Sequence, residues 1–289
     1  MRKGLNRWTI GDYVIALILI LFGLSIILPV WHVFVVAFVP QHVFFETRLL
    51  MWPRGLTFLN FEHVFQANLI RTGAVTTIFI TIVGTAYALF LNITLAYALL
   101  KPIPGRTYIW IFLLITMFFG GGLVPSFLLM VNLGLMNNRL AMVLPFGVVI
   151  VWVFLLQAYM RTLSTEYEES ARLDGAGEIT ILARIILPLC KPIIATVALF
   201  AAVARWNEWF NGIMFMQRPN LWPLQLVLRE VLTDPNRFVM NMPQEARLQS
   251  FTIGVQMATV IVTMLPIVCV YPFLQRHFVK GIQLGGDKG

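Results

Sequence analysis

Six apolar runs of about 20 residues or more recur along this chain, and short polar segments separate them. A helix needs about 20 apolar residues to cross roughly 30 Å of hydrocarbon, and the runs lack the period-two alternation of a membrane β-strand. Hydrophobic residues make up 59% of the chain and charged residues 12%, which is far more apolar than an ordinary soluble domain. The sequence therefore predicts an all-α integral membrane protein with six transmembrane helices. These lie at about 13 to 38, 74 to 99, 108 to 131, 139 to 159, 192 to 216 and 251 to 274.

The positions of the positive charges predict the orientation of these helices. Cytoplasmic segments of membrane proteins carry an excess of lysine and arginine. When the polar segments are assigned alternately to the two membrane faces, every lysine falls on the side that holds both termini, the turn at 101–106 and the loop at 160–191. We therefore predict a multi-pass protein with both termini in the cytoplasm, built as one membrane domain over residues 1–289.

The composition argues against several other classes of protein. The formal net charge is +8 at pH 7, but the basic residues are scattered over the membrane flanks and do not form the stripe that binds nucleic acid. The histidines and cysteines show no metal-ligand spacing, so no metal site is assigned. An intramembrane enzyme would need a nucleophile, base or metal constellation, and the sequence offers none.

Glycines interrupt the third apolar run. Gly120, Gly121 and Gly122 are followed closely by Pro125. A break in a membrane helix leaves backbone groups that protein or water must satisfy. Two explanations fit this break, namely a kink that serves helix packing and a direct contact with substrate.

The fifth apolar run contains two ionisable residues, Arg205 and Glu208, which lie three positions apart and so on one helical face. Ionisable groups within a membrane mark either a pathway or a pair that stabilises the bundle. Both readings are open. If they mark a pathway, Trp206, Asn207 and Trp209 would line a substrate path with them, because aromatic faces beside amide and charged donors suit a carbohydrate ring.

The loop at 160–191 is too charged to lie in lipid and is predicted to form two short helices. Thr165 and Glu168 have the spacing of a capping box, so the first helix should begin there. Gly175 then supplies a residue that adopts positive φ and reverses the chain. The second helix should follow from about Glu178 to Leu187.

The same loop carries the pattern Glu-x-Ala-x3-Gly-x9-Ile-x-Leu-Pro, which resembles the EAA loop of ABC importer permeases. The resemblance implies the type I ABC importer permease fold, in which a cytoplasmic two-helix coupling loop meets an ATPase subunit. The residues that it assigns to ATPase coupling are Glu168, Glu169, Ala171, Asp174, Gly175, Ala176, Ile185, Leu187 and Pro188.

Further stretches resemble the carbohydrate-importing branch of this family. Trp206-Asn207-Glu208-Trp209 is similar to a Trp-Asn-Glu/Asp signature, and the C-terminal cytoplasmic tail at 275–289 is similar to that of the MalG-type subunit. Residues 120–125 and 137–145 resemble a sub-branch associated with complex oligosaccharides, including uronate-containing ones such as alginate fragments. The tail residues that the resemblance assigns to ATPase contact are Gln275, Arg276, Lys280, Gly285, Gly286 and Lys288.

The resemblance implies a heteromeric importer of the bacterial inner membrane. Its partners would be a second homologous permease subunit, two ATPase subunits, an extracytoplasmic solute-binding protein, membrane lipid and an oligosaccharide substrate. The chain has no Gly-x4-Gly-Lys-Ser/Thr phosphate loop, so we predict a non-catalytic subunit without a cofactor, with ATP and Mg on the partner ATPase. An ion-coupled secondary transporter is the alternative, and its only candidate ion site is Glu208 with the glycine break.

Overall fold

The computed structural model describes residues 9–47, 51–240, 242–248 and 250–283, and for residues 237, 245, 248 and 271–283 it describes the backbone only. Every regular element in these residues is a helix. The α-helices before the loop at 160–191 are α1 (Ile10–Ala37), α2 (Gln41–Glu46), α3 (Leu59–Gln66), α4 (Asn68–Ala98), α5 (Arg106–Phe118), α6 (Leu123–Asn132) and α7 (Ile150–Met160). Those that follow are α8 (Glu166–Leu173), α9 (Glu178–Ile181), α10 (Leu187–Leu189), α11 (Lys191–Trp206), α12 (Phe210–Phe215), α13 (Leu224–Thr233), α14 (Pro235–Met240), α15 (Gln244–Leu248) and α16 (Thr252–Gln283). Short 3₁₀ segments lie at Arg139–Met142, Leu144–Phe146 and Pro219–Leu221, and a π-helical turn lies at Leu182–Ile186.

Three of these helices are long and apolar enough to cross a membrane, namely α1, α4 and the Thr252–Val270 part of α16. Three further pairs of helical segments pass the same test together, although each pair is bent at a short break. With each pair taken as one span, the described residues contain up to six spans by length and composition, the number that the sequence predicts. The pairs are Arg106–Phe118 with Leu123–Asn132, Arg139–Phe146 with Ile150–Met160, and Glu178–Leu189 with Lys191–Trp206. In the last pair only Lys191–Trp206 lies in the predicted fifth span, because Glu178–Leu189 belongs to the loop at 160–191.

The third span bends by 113° between α5 and α6, which confirms the break predicted at the glycines. Gly122, the residue before α6, has a φ of 86°, and glycine adopts such a conformation without steric cost. The Ser126 hydroxyl donates to the Gly122 carbonyl (2.8 Å). The same carbonyl also accepts from the Ser126 N–H (3.4 Å), so α6 begins directly after this glycine.

The fourth span is not the continuous helix that the sequence predicts over 139–159, because α7 forms only its second half and 3₁₀ segments precede it. Pro145 lacks the N–H that a continuous α-helix needs. Asn92 of α4 bridges the irregular stretch, since its Nδ2 donates to the Gly147 carbonyl (2.7 Å) and its Oδ1 accepts from the Val149 N–H (2.9 Å). A side chain from another span thus replaces backbone hydrogen bonds.

The chain divides into two compact units, residues 1–68 with 230–263 and residues 69–229 with 264–289. In the first unit the buried Asn60 donates from Nδ2 to the carbonyls of Ala37 (2.9 Å) and Val39 (3.3 Å), which joins α3 to the end of α1. The second unit has its apolar core around α4, α7 and α11. The side chains that form the candidate sites lie in this second unit, and the single domain expected from the sequence stays a prediction.

Candidate functional site

The charged loop after the fourth span begins with α8, but not with the predicted capping box. The Glu166 N–H donates to the Ser164 hydroxyl (3.3 Å), and Thr165 makes no side-chain cap. The Glu168 carboxylate pairs with Lys101 instead. The helix therefore starts where predicted, whereas the capping box is wrong.

Gly175 ends this helix in the conformation that the sequence predicts. Its φ is 81°, which lies in the left-handed region. The Gly175 N–H donates to the Arg172 carbonyl (3.0 Å) and the Ala176 N–H donates to the Ala171 carbonyl (2.9 Å). This pair of hydrogen bonds is a Schellman motif, so the reversal between the two loop helices has a defined geometry.

The second loop helix runs over Glu178–Leu189 and contains the π-helical turn. The Leu187 N–H donates to the Leu182 carbonyl, five residues back instead of four. In a regular helix the Pro188 ring would clash with the carbonyl four positions earlier, and the wider turn accommodates it. The helix then bends by 84° into α11, which begins the fifth span.

The residues of the EAA-like pattern divide into an inward and an outward set. The inward set is buried or half-buried against the apolar core of α4, α7 and α11, and comprises Ala171, Ala176, Ile185 and Leu187. The outward set is exposed, and comprises Glu169, Asp174, Gly175 and Pro188. The small and branched apolar positions thus attach the loop to the membrane helices, while the charged positions and the turn face outward.

A network of four charged side chains and one tyrosine joins this loop to the end of α4. Lys101 pairs with Glu168 and, at 3.4 Å, with Glu178. Arg172 lies 2.6 Å from Glu178 and 3.7 Å from Glu168. The Tyr97 hydroxyl donates to Glu178 (2.7 Å), and Lys101 Nζ lies 4.4 Å from the centroid of the Tyr97 ring. We call these five residues the Lys101 network.

The Lys101 network is partly shielded from water. The Lys101 and Glu168 side chains are only 17% and 24% exposed, and partly buried charges are screened less than surface pairs. The hydrogen bond from Tyr97 lowers the pKa of Glu178 most, and the charges of Lys101 and Arg172 lower it further against the opposing effect of burial. The Glu178 carboxylate is therefore ionised at neutral pH. The sequence analysis assigned only Glu168 to a site, because the network joins positions 67 and 81 residues apart.

The outward face of the loop carries large apolar side chains that the sequence analysis missed. Leu173 is 89% exposed, Ile179 85% and Tyr167 54%. Leu173 and Ile179 lie on either side of Gly175, and the charged residues around them keep the segment out of lipid. Apolar patches rimmed by polar residues mark contacts with partner molecules. The sequence could have indicated this surface, because each predicted loop helix carries an apolar residue on its solvent side.

Arg205, near the end of α11, is buried with 5% of its surface exposed. Its Nη1 donates to the Met142 carbonyl (3.2 Å) and its Nη2 donates to the Phe146 carbonyl. Both carbonyls lie in the stretch where the fourth span is not α-helical. Gly84 of α4 leaves room for the side chain, because a Cβ there would lie 3.2 Å from Arg205 Nε. Arg205 therefore stabilises the irregular half of the fourth span.

Glu208 has a different partner from the one predicted. Its carboxylate accepts hydrogen bonds from the Asn211 N–H (2.9 Å) and from Asn211 Nδ2 (2.8 Å). Because α11 ends at Trp206, the helical spacing that would bring residue 208 back to Arg205 no longer applies. Of the two readings of these residues, the direct Arg205–Glu208 ion pair is therefore not formed, while the substrate-path reading stays a prediction.

The remaining residues of the predicted substrate path lie in two separate environments. Trp206 lines an apolar cavity of about 180 Å³ formed by α4, α11 and α16. Asn207 and Trp209 are exposed beyond the end of α11. Asn207 Oδ1 accepts from Gln225 Nε2 (3.4 Å), and the Arg229 guanidinium carbon lies 4.1 Å from the centroid of the Trp209 ring.

The polar segments of the second unit fall into two groups according to which of them contact one another. Lys101 follows the second span and binds the loop that follows the fourth. Asn137 follows the third span, and its Oδ1 accepts from the N–H groups of Gln217 (2.8 Å) and Arg218 (3.1 Å), which follow the fifth. In each group the segments that meet are two spans apart, as expected if every span crosses the membrane.

The predicted tail contacts lie at the edge of the described chain. Gln275, Arg276 and Lys280 belong to α16, where the structure describes the backbone only. Gly285, Gly286 and Lys288 lie outside the described residues.

Apolar helices sufficient for six spans, with a polar two-helix loop packed against their ends, define a polytopic α-helical membrane permease. The chain belongs to the family described as "Binding-protein-dependent transport system inner membrane component", whose model matches residues 107–284.

Several known proteins are similar to this chain over most of its length. Protein LplC of Bacillus subtilis strain 168 is 36% identical over 275 residues, which cover 92% of this chain and 91% of LplC. The polygalacturonan/rhamnogalacturonan transport system permease protein YtcP of the same strain is 30% identical over 286 residues, covering 96% and 98% of the two chains. Among solved structures, a chain in the crystal structure of a bacterial ABC transporter involved in the import of the acidic polysaccharide alginate superposes with a TM-score of 0.86. It is 29% identical, over 95% of this chain and all of that one.

The family membership and the type I permease fold predicted from the EAA-like pattern are thus confirmed. The chain is a non-catalytic inner-membrane subunit of an ABC transport system that depends on a binding protein. The ion-coupled alternative is not supported.

Proposed function

We propose that this chain is a permease subunit of an ATP-driven importer for oligosaccharides, including those that contain uronate. An extracytoplasmic binding protein would deliver the sugar, and two ATPase subunits, which bind ATP and Mg, would drive transport through this chain and a second homologous permease. The names of two similar proteins support an acidic carbohydrate, since polygalacturonan and alginate are both polyuronates.

In this proposal both termini and the loop at 160–191 lie in the cytoplasm. The lysine distribution supports this orientation. The contacts within the second unit support the alternation of sides, because Lys101 lies beside this loop while residues 137 and 217 lie together in the other group of segments. The ATPase would then meet the loop on the cytoplasmic side, and the binding protein would approach the segments after the third and fifth spans.

The observation that carries the proposal is the exposure of Leu173 (89%) and Ile179 (85%) in a segment too charged for lipid. Burying one such side chain contributes about 1.5–3 kcal/mol. Two such side chains lie beside the Gly175 turn and form a small protruding apolar patch. The exposed Glu169 and Asp174 give this patch a polar rim. A cleft on an ATPase subunit is the partner that this shape suits. We call this patch, Leu173 and Ile179 with their polar rim, the coupling surface.

The Lys101 network gives the coupling surface a connection to the membrane helices. It joins α8 and α9 to Tyr97 and Lys101 at the end of α4, and the inward face of the loop packs on the core of α4, α7 and α11. A displacement of the coupling surface by the ATPase would therefore move α4 and the fifth span with it, as a rigid-body motion of packed helices.

Changing Leu173 and Ile179 together to aspartate is expected to reduce the amount of ATPase that copurifies with the permease roughly tenfold or more, because the apolar contact is lost. Leu56→Asp is the matched control, since Leu56 is 68% exposed but lies in a different loop. Copurification from detergent extracts measures the effect, and thermal unfolding of the permease checks that both variants fold. Unchanged recovery of ATPase with the double variant would contradict the proposed docking role.

Lys101→Met is expected to lower the amount of oligosaccharide imported per ATP hydrolysed by roughly threefold to tenfold, because a partly buried charge pair of about 1 kcal/mol links loop and span. A double-mutant cycle with Glu168→Gln tests the link directly. The double variant should lose little more than the worse single variant. Lys191→Met, which changes an exposed lysine at the start of α11, is the control. If the double variant in proteoliposomes lost as much import per ATP as the two single variants together, the Lys101–Glu168 pair would not link the loop to the span.

A further inference from the structure

An indole, a guanidinium and two amides, groups that can bind a polar ligand, lie together where the fifth span ends. Asn207 and Trp209 follow α11, and Gln225 and Arg229 lie four residues apart on one face of α13. Gln225 Nε2 lies 3.4 Å from Asn207 Oδ1, and the Arg229 guanidinium carbon lies over the Trp209 ring, 4.1 Å from its centroid. We call these four residues the Trp209 cluster.

The guanidinium in this cluster keeps its charge available to a ligand. Among the described residues no carboxylate lies within ion-pair distance of Arg229. Glu208, the acidic residue next to Trp209 in sequence, has its carboxylate held by Asn211. A guanidinium presents its N–H groups as a planar fork that binds carboxylates in pairs. Arg229 is exposed and Trp209 keeps 37% of its surface accessible.

The helix that carries Gln225 and Arg229 is held firmly in the second unit. The Leu224 N–H donates to the Thr77 hydroxyl (2.7 Å) of α4, and Leu226 and Val227 are buried. Pro223, just before the helix, packs on Gly212 so closely that a Cβ there would lie 2.7 Å from the proline ring. The donors of the cluster are therefore preorganised, which reduces the entropy lost when a ligand binds.

We propose that the Trp209 cluster is a subsite for the uronate residue of the transported oligosaccharide. Trp209 would pack against the apolar face of the pyranose ring, Arg229 would bind the uronate carboxylate through paired hydrogen bonds, and the Gln225 amide would bind a ring hydroxyl. Asn207, whose Nδ2 donates to the Val203 carbonyl (3.0 Å), would hold Gln225 in position. This inference rests on the proposed function, whose orientation turns the cluster toward the side where the binding protein delivers its sugar. An aromatic face beside two amides suits a carbohydrate better than an acidic surface of the binding protein.

Arg229→Gln tests this subsite in the reconstituted complex of this chain with its second permease, ATPase and binding protein. The probes are trigalacturonate, an alginate trisaccharide and the neutral galactotriose, each measured as import and as sugar-stimulated ATP hydrolysis. We expect the apparent KM for both acidic sugars to rise roughly tenfold, because a charge-assisted bidentate contact is lost, while the neutral sugar is unaffected. Arg229→Lys should fall between wild type and Arg229→Gln.

Arg218→Gln is the matched control, because it removes an exposed arginine from the same group of segments without touching Trp209. Trp209→Leu should weaken acidic and neutral sugars alike, since ring packing does not depend on charge. The affinity of the sugar-free binding protein for the complex should be unchanged by Arg229→Gln.

Three results with the Arg229→Gln variant would overturn the subsite. They are unchanged import of the acidic sugars by Arg229→Gln, an equal loss for acidic and neutral sugars, and a loss of binding-protein affinity that accounts for the whole effect. The last would assign Arg229 to docking of the binding protein. A wild-type complex that imports only galactotriose would overturn the subsite but leave the importer function standing. A wild-type complex that imports no sugar and shows no sugar-stimulated ATP hydrolysis would overturn the proposed function itself.

Discussion

Replacing Arg205 with methionine is expected to lower the free energy of unfolding of the chain by about 3 kcal/mol, because one buried and one partly buried carbonyl then lose charge-assisted hydrogen bonds. The guanidinium donates to the Met142 and Phe146 carbonyls, which lie where the fourth span has no regular α-helical hydrogen bonds. Inside a membrane no bulk water can take over these acceptors. Methionine fills a similar volume, so the loss reports the hydrogen bonds more than the packing.

Chemical or thermal unfolding of the purified chain in detergent measures this effect. Arg205→Lys should recover part of the stability, since an ammonium group reaches one carbonyl more easily than two. Glu208→Gln is the control at the neighbouring charge, and it should change the stability by less than about 1 kcal/mol. Wild-type stability for Arg205→Met together with altered sugar selectivity would assign Arg205 to the substrate path instead.

Replacing Gly175 with proline is expected to abolish sugar-stimulated ATP hydrolysis in the assembled complex. Gly175 has a φ of 81°, whereas proline fixes φ near −65°. The change also removes the N–H that donates to the Arg172 carbonyl. The Schellman turn between α8 and the second loop helix then cannot form, so Leu173 and Ile179 no longer stand together as the coupling surface.

A proline two residues later provides the control for this prediction. Gly177 has a φ of −76°, which suits proline, and a Cβ there would meet no atom within 4 Å. Gly177→Pro should therefore keep coupling, while Gly175→Ala should weaken it, because a left-handed alanine costs about 1–2 kcal/mol. ATP hydrolysis with and without sugar measures coupling, and recovery of the intact complex reports folding. Wild-type stimulation by Gly175→Pro would remove the turn from the mechanism.

Features that depend on neighbouring residues were predictable from the amino-acid sequence. The number of spans follows from the length of each apolar run. The break at Gly122 and the reversal at Gly175 follow from a residue type that accepts positive φ, and both were confirmed. The EAA-like pattern identified the family because its spacing lies within one short loop.

Predictions from neighbouring residues were wrong where a side chain far away in the sequence takes the hydrogen bond or ion pair that the local structure would have used. The fourth span was predicted as one helix, yet Asn92 and Arg205 from two other spans hold it in an irregular form. The capping box failed because Lys101 attracts Glu168. In both cases a partner far away in the chain offers a better hydrogen bond or charge contact than the local one.

The order of polar and apolar residues along the chain therefore decides that it crosses the membrane, where it turns, and which loop stays outside. Tertiary packing alone decides which ionisable group meets which partner. The sequence left open whether Arg205 pairs with Glu208 three residues away, but α11 ends between them. Arg205 reaches carbonyls 63 and 59 residues away instead. The reason is physical: a buried charge takes the acceptors that the packed helices bring within about 3 Å, and sequence distance does not limit that choice.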